Sequence, residues 1–249
     1  MLKRVVGTLA TVTVALVVLL AVEGFIALNG PGLPDRPALR LDRTFQVGGE
    51  SNEPIRLAWL GDSTGAGIGA SGAEAAVVTL VASELGRPVE LRVLARSGAR
   101  VGDVLAQQLP RLADVDADAV VVAVGGNDVT HLTSEDLFEA QYDLLLDTLA
   151  RLPSSTIVSV GIGDFGTVPR IPQPLRALVA WRGRALDELI RKVTSRHDVA
   201  YVDLYGETGP VFAVDPGRYY APDEFHPNDL GYRVWADAIL EVLRPAIAG

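Results

Sequence analysis

The chain has 249 residues, enough for one large domain or two small ones, and its 49% hydrophobic and 21% charged residues belong to a folded rather than a disordered protein. A formal net charge of -9, with no run of Lys and Arg interleaved with aromatics, argues against a nucleic-acid partner and reads as a soluble, self-repelling surface. The absence of cysteine excludes disulfides, thiolate metal sites, a cysteine nucleophile and a lipid anchor on an N-terminal cysteine, and leaves the compartment open.

Residues 1–28 open with Lys3 and Arg4 and then carry no charge from Val5 to Val22. Such a run, with "GFIAL" beyond Glu23, is long enough to span a hydrocarbon core of roughly 30 Å. A secretory h-region is shorter, about 7–15 residues, and ends at a small-x-small site that is not evident near Glu23 to Asn29. The segment reads as a transmembrane anchor, with Lys3 and Arg4 in the cytoplasm and the rest of the chain outside. A cleaved signal and secretion are the alternative. Residues 29–54, rich in Pro, Gly and charge, read as a linker with a short ordered piece near Leu39 to Phe45.

From Ile55 to Gly249 strands and helices alternate. "IRLAWL" (55–60) is an apolar run of strand length, and a glycine-rich turn follows it. A helix is expected over 73–85, with Gly86 as C-cap, then a strand at 89–94 and a short helix from Val101 to Leu109. "AVVVAV" (119–124) is β-branched enough for a strand buried on both faces. A helix from Ser134 to Leu152 has Thr133 as its N-cap. Strands at 156–162 and 199–204 flank a helix from Pro174 to Arg196. The last helix begins near Asn228, and Leu230, Val234, Trp235, Ala238, Val242 and Leu243 form its apolar stripe. Five alternations predict a three-layer α/β/α sandwich around a central five-stranded parallel sheet, filling residues 55–249 as one domain.

In such sheets the working residues lie on loops beyond the carboxyl ends of the strands. Those loops carry Gly61, Asp62 and Ser63 after the first strand, Gly98 after the second, and Asn127 and Asp128 after the third. "YYAPDEFHPND" precedes the last helix, with Asp223 and His226 three apart. A serine hydroxyl is a weak nucleophile until a base takes its proton, which is a task for His226. The imidazole needs an acceptor on its other nitrogen, and Asp223 is within reach on the same loop. The N–H groups of Ser63 and Gly98 and the side-chain amide of Asn127 supply three donors for a tetrahedral oxyanion. Nothing in the spacing of His and carboxylates suggests a metal site, and no cofactor is required.

On "GDS" (61–63), Gly98, "GGND" (125–128) and "DEFH" (223–226), all in order, the chain resembles the SGNH (GDSL-type) hydrolase family over about residues 55–245. Thr64 stands where that family most often has leucine, and Gly98 is assigned by position. The resemblance implies a flavodoxin-like sandwich and carboxylic ester hydrolysis through Ser63, His226 and Asp223. The expected substrate is a small-molecule, lipid or sugar acyl ester. Transfer or removal of acetyl groups on cell-surface polysaccharide is the nearest alternative, and a non-catalytic binding module a more distant one. The acyl group and the oligomeric state stay open.

The other polar residues have plainer readings. Asp62 and Asp128 hold turns through backbone hydrogen bonds, and His131 and His197 sit at helix ends. "GAGIG" (65–69) lacks a phosphate-binding spacing. Trp181 and Trp235 are expected in the core. Tyr219, Tyr220 and residues 163–174 are candidates to line a substrate cleft.

Overall fold

The computed structural model describes residues 2–34, 39–49, 53–112, 115–152 and 156–248. Its centre is a six-stranded sheet: β1 (Thr44–Val47), β2 (Ile55–Gly61), β3 (Val89–Val93), β4 (Ala119–Ala123), β5 (Thr156–Val160) and β6 (Ala200–Val202), in the spatial order β1-β3-β2-β4-β5-β6. β2 to β6 run parallel, and β1 lies antiparallel to β3 with Thr44 opposite Arg92 and Val47 opposite Val89. The five expected strands are all present. The sixth is a correction, because β1 falls in the stretch read as a linker. It is four residues long, alternates between exposed and half-buried, and abuts Gly48 and Gly49, so it lacks the apolar run that marks a central strand.

Period-2 alternation divides the strand side chains between two cores. Leu57 and Trp59 of β2 face one side, where they pack with α2 (Val77–Ser83) and α10 (Asp229–Ala248). Ala58 and Leu60 face the other, with α6 (Glu135–Leu149) and α7 (Leu175–Arg196). Every residue from Ala119 to Val122 is completely buried. These two cores make the three layers.

Several helices differ from expectation for local reasons. Residues 101–112 form α3 (Val101–Asp103), a five-residue π-helical segment (Val104–Gln108) and α4 (Leu109–Leu112). Leu109 N–H reaches Val104 O, and Pro110 beyond it has no N–H to keep a regular i→i−4 ladder. The cap of α6 is Ser134, whose hydroxyl accepts from Leu137 N–H, since the Thr133 hydroxyl is turned to Asp128. The first three residues of 73–85 form a 3₁₀ turn, Ala73–Ala75, and α2 follows from Val77. Short helix α5 (Gly126–Thr130) follows β4. Two unexpected helices, α8 (Leu204–Val214) and α9 (Pro216–Tyr219), lie between β6 and the last loop. "LYGETGPVFAV" carries two glycines and a proline and no clear apolar stripe, so only the Asp203 cap, bonded to Gly206 N–H at 2.7 Å, marks its start.

Helix α1 (Leu2–Leu28) contains one stretch, Thr8–Leu28, long and apolar enough to cross a membrane, with a mean hydropathy of 2.4. Trp181 is not a core residue: it stands 70% exposed on α7. Trp235 is half-buried on α10.

Candidate active site

The turn that carries Ser63 is built from steric exclusion. Gly61 ends β2 at φ +154°, and a Cβ there would lie 2.2 Å from Ala123 O on the adjoining strand. Only glycine lets the chain leave the sheet at that point. Its N–H donates to Gln108 Oε1 at 2.9 Å, and its carbonyl accepts from Gln108 Nε2 at 2.7 Å. Gln108, fully buried on the π-helical segment, thus grips both backbone groups of the residue two before Ser63. Sequence reading missed it, since nothing in the adjacent pair Gln107 and Gln108 announces a partner 47 residues away. Beyond Gly61, Ala66 N–H returns to Asp62 O and Ile68 N–H to Ser63 O, closing the turn.

Asp62 has the turn-holding geometry expected of it. Its Oδ1 accepts from the N–H and the hydroxyl of Thr64 at 3.0 and 2.9 Å. Burial pushes this carboxyl up, against those two hydrogen bonds. Asp128 likewise accepts from Val101 N–H at 3.1 Å and Thr133 Oγ1 at 2.9 Å, and burial raises it too.

The fold brings Ser63, His226 and Asp223 into series. Ser63 Oγ lies 2.9 Å from His226 Nε2, and His226 Nδ1 lies 2.6 Å from Asp223 Oδ2. The other Asp223 oxygen accepts the N–H groups of Phe225 and His226 at 3.1 and 3.0 Å, which fixes the carboxylate in its own turn. Ser63 and Asp223 are 8% and 5% exposed, so water screens this series poorly. Burial alone would raise the Asp223 pKa. The bonds from the His226 ring, the His226 N–H and the Phe225 N–H outweigh it and hold the carboxyl below its ordinary value. An ionised Asp223 keeps the proton on Nδ1 and leaves Nε2 to accept from the serine hydroxyl. A second glycine makes the approach possible: a Cβ at Gly69, φ +97°, would lie 2.3 Å from Pro227 O and 2.9 Å from His226 Cβ.

The three candidate oxyanion donors are less alike. Asn127, on α5, lines the cavity beside Ser63, and one of its amide hydrogens goes to Ala99 O at 3.1 Å, while the other has no protein acceptor among the described residues. The N–H groups of Ser63 and Gly98 have no protein acceptor among the described residues. Gly98 sits at φ +80° in the exposed turn after β3, tied to Asn127 through Ala99 but outside the cavity wall.

The cavity next to Ser63 has a volume of about 100 Å³. Val160, Ile162, Phe165, Phe212 and Trp235 give it an apolar wall. Tyr220 and the Gly163–Val168 segment contribute to it as expected, whereas Tyr219 packs against Phe212 instead. Phe212 belongs to α8, so sequence reading did not find it. His131 is exposed at the end of α5, and His197 caps α7 beside Asp143 at 3.0 Å; neither reaches the cavity. Among the described residues no group of three or more His, Asp or Glu side chains is arranged to hold a metal ion.

A hydroxyl, an imidazole and a carboxylate in series, at the carboxyl edge of a parallel sheet and beside an apolar cavity, is the equipment with which serine hydrolases work. Residues 59–234 match the GDSL-like lipase/acylhydrolase family, and the chain belongs to it. It is 30% identical over 203 residues to the GDSL-like esterase Rv1075c of Mycobacterium tuberculosis, covering 78% of this chain. The chain spans only 63% of that relative's length. An extracellular lipase from Streptomyces rimosus superposes with a TM-score of 0.59 at 20% identity, over 76% of this chain and 99% of its own. A catalytic mutant of Axe2, an acetylxylan esterase from Geobacillus stearothermophilus, gives 0.59 at 21%, over 78% and 94%. At those identities the likeness establishes the shared fold.

Proposed function

We propose that this chain is a carboxylic ester hydrolase that works through an acyl-enzyme on Ser63. The observation that carries the proposal is the pair of short contacts, 2.9 Å from Ser63 Oγ to His226 Nε2 and 2.6 Å from His226 Nδ1 to Asp223 Oδ2. Ser63 Oγ attacks the acyl carbonyl as His226 Nε2 takes its proton, and the Asp223 carboxylate stabilises the imidazolium. Ser63 N–H, Gly98 N–H and the free Asn127 amide hydrogen receive the oxyanion. On collapse the C–O bond to the alcohol breaks and His226 returns the proton to it. Water then attacks the acyl-Ser63, its proton passing to His226 and on to Ser63 as the acid leaves. Helix α1 anchors the enzyme, with the hydrolase domain on the outer side of the membrane. A cavity of about 100 Å³ favours short acyl groups, since pockets for drug-sized ligands start at about 300 Å³.

The test uses the full chain in detergent micelles on nitrophenyl esters from acetyl to palmitoyl, beside Ser63→Ala. The expected result is turnover that peaks at acetyl to butyryl and falls at least about a thousandfold in the variant. Undiminished turnover by Ser63→Ala would sink the proposal. Delivery of the acyl group to a sugar hydroxyl in preference to water would change the acceptor and keep the site.

A further inference from the structure

Between Val5 and Leu28 the chain carries one charge, Glu23. A carboxyl on an otherwise apolar helix is costly to bury unless it is bonded. Glu23 is nevertheless only 4% exposed, and its Oε2 accepts the N–H of Leu175, the first residue of α7, at 2.8 Å. The N-cap of α7 is Pro174, whose ring cannot accept a hydrogen bond. The cap that α7 lacks therefore comes from α1. A carboxylate there also suits the positive end of a 22-residue helix.

The exchange runs in both directions. Arg170, just ahead of α7, donates from Nε to Ala27 O at 2.5 Å, from Nη2 to Leu28 O at 3.3 Å and from Nη1 to Pro31 O at 2.8 Å. Ala27 and Leu28 are among the last carbonyls of α1, which have no partner within the helix, and a cation suits that end of the dipole. A Cβ at Gly30 would lie 3.1 Å from Arg170 Nε, so glycine leaves room for the guanidinium. Nη1 also donates to Asp223 O at 3.2 Å, and the Arg170 backbone N–H donates to Glu224 O at 3.1 Å. One residue thus touches the end of α1 and the loop that carries Asp223 and His226.

We infer that α1 is a built-in part of the catalytic domain: Glu23 fastens its end to the start of α7 and Arg170 fastens it to the Asp223–His226 loop, with Arg170 as a positioning residue for Asp223. The inference rests on the hydrolase reading for its effect on turnover, though not for the docking itself. A cut just after Leu28 would remove the Glu23 cap of α7 and the α1 carbonyls that Arg170 holds, so full turnover is expected to need the helix. If α1 crosses the bilayer, the acid–base loop lies one helix end from its surface.

The test uses the full chain in detergent micelles with Arg170→Met, Arg170→Lys, Glu23→Ala and Glu23→Gln. Active sites are counted with a fluorophosphonate, so that misfolded enzyme does not enter kcat. Arg170→Met is expected to lower kcat about tenfold with KM within about twofold, because displacing the acid–base pair harms the transition state and not binding. Lys at that position restores part of kcat. Glu23→Ala lowers kcat in the same direction by a smaller factor, and Gln, which still offers a carbonyl to Leu175 N–H, restores it. Amide exchange gives a second reading that needs no activity. Peptides spanning 173–178 in Glu23→Ala and 221–226 in Arg170→Met are expected to exchange about tenfold faster. Unchanged kcat together with unchanged exchange at both places would overturn the inference. Activity that survives Ser63→Ala would remove the hydrolase reading, and the exchange data would still decide the docking. If Arg170→Met does not fold, the Lys and Glu23 variants carry the test.

Discussion

The two ends of strand β2 use the same side-chain chemistry for opposite purposes. At its start, Arg56 donates to both oxygens of Asp118, at 3.2 Å from Nε and 2.6 Å from Nη2, and also pairs with Asp116. These side chains are 38%, 43% and 80% exposed, so water and salt screen them. At its end, Ser63 and Asp223 are almost wholly buried, and the Asp223 carboxylate faces an imidazole rather than a fixed cation. At both ends hydrogen bonding holds a carboxyl below its ordinary value: Arg56 does so for Asp118, chiefly by direct bonds, and His226 and backbone N–H groups do so for Asp223 against the cost of burial. The difference lies in what the carboxylate can do next. Asp118 is tied to a group that never gives up its proton, whereas Asp223 is tied to one that can take a proton from a nucleophile and return it. Burial and partner, more than residue type, separate a surface clasp from a candidate catalytic relay.

The sharpest way to break the comparison is Asp223→Asn. It keeps the shape of the loop and favours the wrong imidazole tautomer, so kcat is expected to fall about 10⁴-fold on a short nitrophenyl ester. The same variant has a stability signature. The folded pKa of Asp223 lies below its unfolded value, so its contribution is complete above the ordinary carboxylate range and is lost as pH falls through the folded value. Thermal melts between about pH 2 and 5 are therefore expected to show a flatter acid slope in Asp223→Asn than in the parent. Next in size is Asn127→Ala, which removes a proposed oxyanion donor and is expected to cost about 10²–10³ in kcat with little change in KM. Gln108→Leu strips the partner from Gly61 N–H and is expected to cost about 1–3 kcal/mol in denaturant titration. The smallest effect belongs to the other end of the strand. Arg56→Met should leave turnover unchanged, and any loss in melting temperature should vanish as salt is raised. A large fall in kcat there would erase the distinction between the two ends.

How far the sequence reveals this molecule depends on the range of the interactions. Strands such as "AVVVAV" are legible because burial on both faces demands continuous apolar residues, and the loops of Ser63, Gly98 and Asn127 are legible because they follow those strands in order. Gly61 could be placed by its motif, although the 2.2 Å clash with Ala123 O that demands glycine appears only in three dimensions. β1 and α8 escape because an edge strand needs no apolar run, and a helix broken by Gly206, Gly209 and Pro210 shows no period. Gln108, Arg170 and Glu23 are invisible for another reason. Each matters through partners far along the chain: Gly61 for Gln108, the end of α1 and the Asp223 loop for Arg170, and Leu175 for Glu23. Glu23 interrupts an apolar segment in the sequence, and only the fold gives that interruption a purpose.

The most direct test of the central claim is to find where an active-site-directed electrophile lands. The full chain in micelles would be treated with a fluorophosphonate, digested, and mapped by mass spectrometry, beside His226→Ala. The account predicts one phosphonyl adduct per chain, on Ser63, formed at a rate that collapses in the His226 variant. Labelling of another residue, or of Ser63 at the same rate without His226, would contradict it.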